Sequence, residues 1–262
     1  MQDLATEEKV KKFYESQGWA ADQTGSTTDA KLWEDLRPMA QKYVAACRRK
    51  LLKYLPKNGD LFLDCASGPI QYPEYLEYSQ GFKKRICVDI SQRALDVAQK
   101  KLGSRGETVC ASLLNLPFPD NHFDAAVSLH TIYHIDQTQQ ETAVRELLRV
   151  AKPGTPIVIV YSNPNRLLAR MKRFVKPEPT PTEDSERIYF YAHPLKWWKQ
   201  FEDKADVKTV AWRSLTAKDA KRLIPGNKSG EVMLNALLKI ETYLPKFMAG
   251  LSAYPLIILT KK

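Results

Sequence analysis

LDCASGPI, residues 63–70, is the stretch on which the fold of this chain turns. An apolar run ends in an acid, Asp64, and then in a turn of small residues ahead of the helix-like YPEYLEYSQ at 72–80. Strand, small-residue turn and helix in that order let backbone N–H groups approach a ligand closely. A second apolar run, RICVDI at 85–90, closes on Asp89, 21 residues after Gly68. A carboxylate there can accept hydrogen bonds from both ribose hydroxyls of a nucleoside. The phosphate fingerprint G-x-G-x-x-G reads here Ala66-Ser67-Gly68-Pro69-Ile70-Gln71, with two of three glycines missing, so a nucleoside without a pyrophosphate fits better than a dinucleotide.

Working outward, the periodicities alternate between strand and helix. SQRALDVAQKKL (91–102) reads as a helix, ETVCA (107–111) and FDAAVSLH (123–130) as strands, and TQQETAVRELLRV (138–150) as a helix with Ala143, Val144, Leu147, Leu148 and Ala151 on one face. TPIVIVYS (155–162), DVKTVAWRSL (206–215) and SAYPLIILT (252–260) supply three more strands. The pattern predicts an α/β fold: a doubly wound, mainly parallel seven-stranded sheet with N-terminal helices and helical insertions after strands 5 and 6. One domain is expected, with N-terminal helices over 1–56, a nucleoside-binding core over 57–161, and acceptor-side inserts and last strands over 162–262. In the first part, LRPMAQKYVAACRRKLLKYL (36–55) places Met39, Tyr43, Cys47, Leu51 and Tyr54 at helical spacing. Among the inserts, helices are predicted near 166–176, at HPLKWWKQFED (193–203) and over roughly 216–247, with the Pro-rich KPEPTPTEDSE (176–186) between the first two.

Composition bounds the rest. With 262 residues, 44% hydrophobic and 27% charged, the chain is an ordinary folded protein. Its apolar runs are strand-sized, whereas a membrane-spanning helix needs roughly 20 residues. MQDLATEEKV lacks the apolar segment of a secretory signal, and a cytoplasmic address is expected. The four cysteines, at 47, 65, 87 and 110, match no C-x-x-C pattern and read as buried free thiols. No metal site is predicted. The net charge is +10, and its distribution is uneven: residues 1–150 carry 20 basic and 20 acidic groups, residues 151–262 carry 20 and 10. An anion-seeking surface is therefore expected in the inserts. There NRLLARMKRFVK (165–176) sets Arg166, Arg170 and Arg173, with Lys172 and Lys176, against an apolar stripe of Leu167, Leu168, Met171, Phe174 and Val175. Peripheral contact with an anionic lipid surface, a hold on an anionic acceptor, and a solvated lid helix are the three readings of it.

Residues 60–161 resemble the class I S-adenosylmethionine (SAM) dependent methyltransferases of the small-molecule type that includes quinone, sterol and sugar methyltransferases. Four ordered segments carry the resemblance: LDCASGPI, VDIS (88–91), NLPFPDNHFDAAVSLHTIYHI (115–135) and LLRVAKPGTPIVIVYS (147–162). Members usually have glycine at the positions of Ala66 and Ile70 and an acid at that of Ser112. The resemblance implies SAM as cofactor, S-adenosylhomocysteine (SAH) as product, and methyl transfer to oxygen or nitrogen of a small or medium, anionic or lipid- or sugar-linked acceptor. It implies that Asp64, Ala66, Ser67 and Gly68 face the methionine part, Asp89 and Ile90 the ribose and adenine, and Ser112 and Leu113 the adenine edge. Ser128, Leu129 and His130 would line the floor beneath the sulfonium, and Tyr14 and Trp19 would cover the cofactor.

For removing the acceptor's proton, SLHTIYHID (128–136) offers His130, Tyr133 and His134. His134 is the first choice, because an imidazole near its ordinary pKa of about 6.5 is a base at neutral pH; Asp136 reads as a helix cap. YFYAHPLKWW (189–198) places Tyr189, Tyr191 and His193 at alternate positions, as an acceptor-pocket wall or as a helix cap beside the anchors Trp197 and Trp198. Two other functions stay open. A nucleic-acid methyltransferase, acting on tRNA or rRNA for example, accords with the pI near 9.3 but not with the absence of the Asn/Asp-Pro-Pro-aromatic motif of exocyclic-amine methylases. A SAM-binding protein without catalysis accords with Ala66, Ile70 and Ser112.

Overall fold

The computed structural model describes residues 2–19, 28–175 and 188–262. Seven strands form one sheet: β1 (Gly59–Cys65), β2 (Phe82–Asp89), β3 (Gly106–Cys110), β4 (Ala125–Leu129), β5 (Pro156–Val160), β6 (Ala205–Arg213) and β7 (Tyr254–Lys261). Their order is β3-β2-β1-β4-β5-β7-β6, with β1 to β5 parallel and β7 antiparallel to both β5 and β6. The expected doubly wound, mainly parallel sheet is what forms. The order of winding reverses between the parallel neighbours β1 and β4, and a doubly wound sheet opens its ligand crevice at the carboxyl ends of such a pair.

The strands read as near-continuous apolar runs because both faces are covered. On one face Leu63, Ile86, Ile157, Ile159 and Ile257 pack with Ala143, Val144, Leu147 and Leu148 of α6 (Gln140–Val150). On the other, Phe62, Val127, Val158, Val160 and Leu256 meet Tyr43, Val44 and Cys47 of α3 (Pro38–Arg49) and the following Leu51. Successive strand residues point to opposite faces, so Leu63 and Phe62 belong to different layers.

The remaining helices are α1 (Gln2–Phe13), α2 (Thr28–Trp33), α4 (Pro73–Glu77), α5 (Gln92–Leu102), α7 (Leu167–Val175), α8 (Ala217–Leu223), α9 (Lys228–Tyr243) and α10 (Pro245–Ala249). The insertion predicted over 216–247 is thus three helices. Its long member is fastened by Glu241, fully buried, which accepts from Lys50 Nζ (2.5 Å), the Tyr43 hydroxyl (2.7 Å) and the Ser214 N–H (2.8 Å). One carboxylate therefore ties α9 to α3 and to the end of β6. The predicted helix at 193–203 is a 3₁₀ turn, Leu195–Phe201, in which Trp198 and Phe201, three apart, share a buried face. Of the basic helix, Arg166 comes within 3.8 Å of Asp219, and Leu167 and Met171 are exposed. The side chains of Lys172, Arg173, Phe174 and Val175, together with Lys176 and the Pro-rich stretch, lie outside the described residues. Cys47, Cys65 and Cys87 are buried free thiols, but Cys110, at the end of the outer strand β3, is exposed. Among the described residues no helix is long and apolar enough to cross a membrane.

Candidate active site

The turn after β1 is built by backbone conformation. Ala66, Gly68 and Ile70 all take left-handed φ, at 57°, 53° and 51°. For Ala66 and Ile70 this costs roughly 1–2 kcal/mol each, the price of a Cβ near the following carbonyl. The turn is held against β2: the Ser67 N–H donates to Val88 O (3.1 Å) and the Gly68 N–H to Asp89 Oδ2 (2.8 Å). Lys101 Nζ reaches the carbonyls of Pro69 and Ile70, each at 2.8 Å. Gly68 is needed for a second reason, because a Cβ there would lie 2.8 Å from the indole of Trp19. Trp19 stacks on Tyr14, with ring centroids 4.9 Å apart, so the N-terminal segment lies over the turn.

Beside this turn a cleft of about 550 Å³ opens at the carboxyl ends of β1, β2 and β4. Cys65 contributes from β1 and Ala66 from the turn after it, Val88 and Asp89 from β2 and Ile90 just beyond, and Ala111 to Leu114 from the segment after β3. Thr131, His134, Ile135, Asp136 and Gln139 close it from the segment after β4, and Glu7 and Val10 of α1 close it from above. Of the candidate site residues, Ala66, Asp89, Ile90, Ser112, Leu113 and His134 come together in this wall.

Asp89 is its chemical centre. Its Oδ1 accepts the Ser91 N–H at 2.9 Å, and its Oδ2 the Gly68 N–H. Burial raises its pKa to about 6, against the lowering effect of those backbone donors. The backbone N–H of Ile90 also favours the charged form, and the side of the carboxylate that faces the cleft is where two vicinal hydroxyls could donate. Ser91 then caps α5, accepting the Ala94 N–H at 3.2 Å. Across the cleft, Ser112 Oγ accepts the Leu114 N–H at 3.1 Å, which leaves its own O–H to donate.

His134 differs from expectation in its acidity. Its Nδ1 lies 2.7 Å from the carbonyl oxygen of Tyr189, which can only accept, so Nδ1 carries the proton and Nε2 a lone pair. Burial lowers its pKa to about 4, not the ordinary 6.5.

Other candidates lie elsewhere. Asp64 does not line the cleft: it is buried in an ion pair with Arg85, itself buried on β2 and donating also to Tyr75 O at 2.6 Å. Tyr133 is a core residue whose hydroxyl lies 2.8 Å from His130 Nδ1. His193 stacks flat on Trp197 at 4.5 Å and donates its backbone N–H to the Tyr161 hydroxyl, so it serves packing away from the cleft wall. Tyr189 accepts the Gln137 N–H on its hydroxyl at 3.0 Å, and Asp136 Oδ1 accepts from the Thr138 N–H and hydroxyl, closing the turn before α6 rather than capping the helix, whose N-cap is Gln139. Ser128 is fully buried on β4 with its hydroxyl unpartnered, and Leu129 packs toward the α3 layer. His130 leaves β4 with φ of 60° and rests between Trp212 and Tyr254, 5.0 and 5.2 Å away. Glu7, Val10 and Arg85 were not candidates from sequence: α1 has no motif, and an arginine at the start of a strand reads as a surface residue.

Residues 63–159 match the model of a methyltransferase domain. The chain is 37% identical over 122 residues to the ubiquinone/menaquinone biosynthesis C-methyltransferase UbiE of Pseudomonas putida (strain GB-1), covering 44% of this chain and 47% of that protein. It is 29% identical over 154 residues to the UbiE of Shewanella sediminis (strain HAW-EB3), covering 53% and 61%. The chain thus spans about half to three fifths of the length of these relatives. In fold it is similar to the magnesium protoporphyrin IX methyltransferase of Synechocystis PCC 6803 with bound SAH, with a TM-score of 0.60 at 13% identity over 97% of this chain and 98% of that one. A SAM-dependent methyltransferase of Thermotoga maritima has a TM-score of 0.54 at 18% identity, covering 84% and 90%. Residues 63–159 thus match a methyltransferase domain, within a seven-stranded sheet similar in fold to solved SAM-dependent methyltransferases.

Proposed function

We propose that the protein transfers the methyl group of SAM to a nucleophilic centre of a small ring acceptor. The observation that carries this is Asp89, a buried carboxylate fixed by backbone N–H groups at the end of β2 and lining a cleft whose other walls are largely apolar. Asp89 would accept the two ribose hydroxyls, Ile90 and Leu113 would flank the adenine, and Ser112 would donate to its edge. The Gly68 N–H is already given to Asp89, which removes an amide that a pyrophosphate would need and favours a nucleoside carrying an amino-acid chain. When bound, the cofactor supplies a methyl group on a sulfonium, an activated leaving group. The chain's part is to hold the acceptor in line and take up its proton.

His134 is suited to the second task by position rather than by acidity. Its Nδ1–H is fixed on Tyr189 O, so Nε2 is the atom left to receive a proton. An imidazole buried to a pKa of about 4 stays neutral throughout the physiological range and takes the proton only as the new bond to methyl acidifies the acceptor. The acceptor atom in this reading is a ring carbon or its hydroxyl, wider than the oxygen or nitrogen expected from sequence, because the curated relatives are C-methyltransferases. A lipid-linked acceptor is supported by α9 and α10, where Val232, Tyr243 and Phe247 are 66%, 79% and 69% exposed. Exposed Lys239 and Lys246 flank them, a composition that fits an anionic bilayer surface.

The test is incubation with methyl-labelled SAM and a short-chain prenylated hydroquinone, followed by product analysis. Labelled product and SAH are expected. Binding of SAH without turnover on this or any extract acceptor would leave a SAM-binding protein, and salt-steep binding of tRNA would favour a nucleic-acid acceptor.

A further inference from the structure

Beyond the cleft, past His130, two arginines are buried where the sequence predicts nothing. Arg48 of α3 and Arg213 at the end of β6 keep only 3% and 5% of their side chains exposed. Between them stands Glu34, from the segment joining α2 to α3: Oε2 accepts from Arg213 Nη1 at 2.8 Å and Oε1 from Arg48 Nη2 at 3.4 Å. Glu74 accepts from the other side of Arg48, also at 3.4 Å. Both Arg48 Nε and Arg213 Nε are buried with no partner.

This is an incompletely used anion site. An arginine grips an oxyanion best with two parallel N–H groups at about 2.7–2.9 Å. Glu34 takes one Nη from each guanidinium, one of them at 3.4 Å, and leaves both Nε–H groups without an acceptor. The surroundings are aromatic. Arg48 lies 3.2 Å over the ring of Tyr72, and Arg213 is 4.7 Å from the ring of Tyr254. Tyr254 and Trp212 in turn flank His130, the residue just before Thr131 of the cleft wall. The arrangement reads outward from the cleft as His130, the rings of Trp212 and Tyr254, and a pair of cations.

We propose that Arg48 and Arg213 are the recognition point for a carboxylate or phosphate on an aromatic methyl acceptor, and that Glu34 holds this point until the acceptor's anion replaces it. The proposal rests on the methyl-transfer reading, since it concerns the acceptor of that reaction. Charge balance supports an exchange. Glu34 and Glu74 face Arg48 and Arg213, with Arg49 also 3.9 Å from Glu74, and replacing Glu34 by a singly charged anion leaves the net charge of the group unchanged. Departure of Glu34 with no replacement leaves a buried guanidinium without its counterion, which is strongly unfavourable. Glu34 therefore leaves only when an anion arrives. Its neighbour Asp35 is held by Arg37 at 2.7 Å, and Arg37 by the carbonyl of Ile224 at 2.7 Å, so the backbone stays anchored while the Glu34 side chain moves. One of its arginines, Arg213, lies in the basic inserts and the other, Arg48, in the electrically neutral N-terminal part.

The experiment is calorimetric titration of the full chain, saturated with SAH, using benzoate and phenyl phosphate, with benzamide as the neutral counterpart. The wild type is expected to bind one of the anions at least about tenfold more tightly than benzamide, a difference of about 1.4 kcal/mol. Glu34→Gln removes the internal competitor's charge and is expected to tighten that anion at least about tenfold, while Arg213→Lys, which keeps the charge but loses the fork, weakens it at least about tenfold. SAH affinity should stay within about twofold across the three proteins, since none of these groups lines the cofactor cleft. The tighter of the two anions assigns the head group. Equal affinity for anion and benzamide overturns the proposal even if neither variant folds, and so does indifference of the anions to both substitutions. Failure of the wild type to bind SAH overturns the methyl-transfer reading instead.

Discussion

Asp89→Asn separates the two tasks of this carboxylate, fitting the fold and holding a ribose. In the folded chain its pKa is about 6 against an ordinary 3.8, because it is buried. A carboxyl whose folded value lies above its unfolded value contributes stability fully below the unfolded pKa and loses it as pH rises through the folded one. The difference of about two units corresponds to roughly 3 kcal/mol, most of it lost between pH 4 and 7. Asparagine carries no such penalty at high pH. It does turn one of the two oxygens that accept the Gly68 and Ser91 N–H groups into an NH₂, and an unpaired buried donor costs about 1–3 kcal/mol. The variant should therefore be less stable than wild type at pH 4 by that amount and close to it at pH 8, as read from urea denaturation across the range. Nucleoside binding should run the opposite way. Only ionised Asp89 accepts from both hydroxyls, so wild-type affinity for SAH should fall about tenfold between pH 7 and pH 5, whereas the variant should be flat with pH. At pH 7 it should bind about 10–100-fold more weakly, the worth of one or two hydrogen bonds to a charged acceptor. Equal SAH affinity of the two proteins, with no pH dependence in the wild type, would refute this reading of the site.

The left-handed turn gives a pair of substitutions with opposite signs. Ala66→Gly relieves about 1–2 kcal/mol of backbone strain and gives back roughly 0.4–1 kcal/mol in unfolded-chain entropy, so the melting temperature should hold or rise. Ile70→Gly relieves similar strain but empties a buried side chain, 1% exposed, and should lose about 2–4 kcal/mol net. For the proton acceptor, His134→Gln should lower turnover about 10²–10⁴-fold with SAH affinity retained. The wild-type rate should show no inflection from this group near pH 6.5, since its pKa is about 4; an unchanged rate in the variant removes His134 from the mechanism. On the outer face, Phe247→Glu should abolish co-sedimentation with anionic vesicles, and a wild type that does not sediment with them at low salt contradicts the lipid-surface reading.

How much of this was legible beforehand follows from where the information lies. The parallel strands announce themselves as apolar runs, and Asp89 is marked by its place at the end of one, because strand ends in this fold have fixed neighbours. Asp64 occupies the same kind of place and misled for that reason: what decides its role is Arg85, which reads as a strand's polar beginning and turns out to be buried. Tyr14 and Trp19 stack together with Trp19 against Gly68 of the turn, while the cleft itself is closed by Glu7 and Val10, which no pattern marks, since a short polar helix does not say what it faces. His134 could be picked out by position, whereas its tautomer and depressed pKa depend on the carbonyl of Tyr189, 55 residues away. Arg213 lies farther off still, 179 residues from Glu34, which is itself 14 from Arg48. No periodicity links them, and only the packing of α3 against β6 and the segment before it brings three such charges together.

The central claim is that the carboxyl ends of β1 and β2 form a SAM site, and calorimetric titration of the purified chain with SAH at pH 7.5 tests it most directly. One equivalent should bind with a dissociation constant in the micromolar range, roughly −8 kcal/mol. No heat and no shift in melting temperature at millimolar SAH would contradict it.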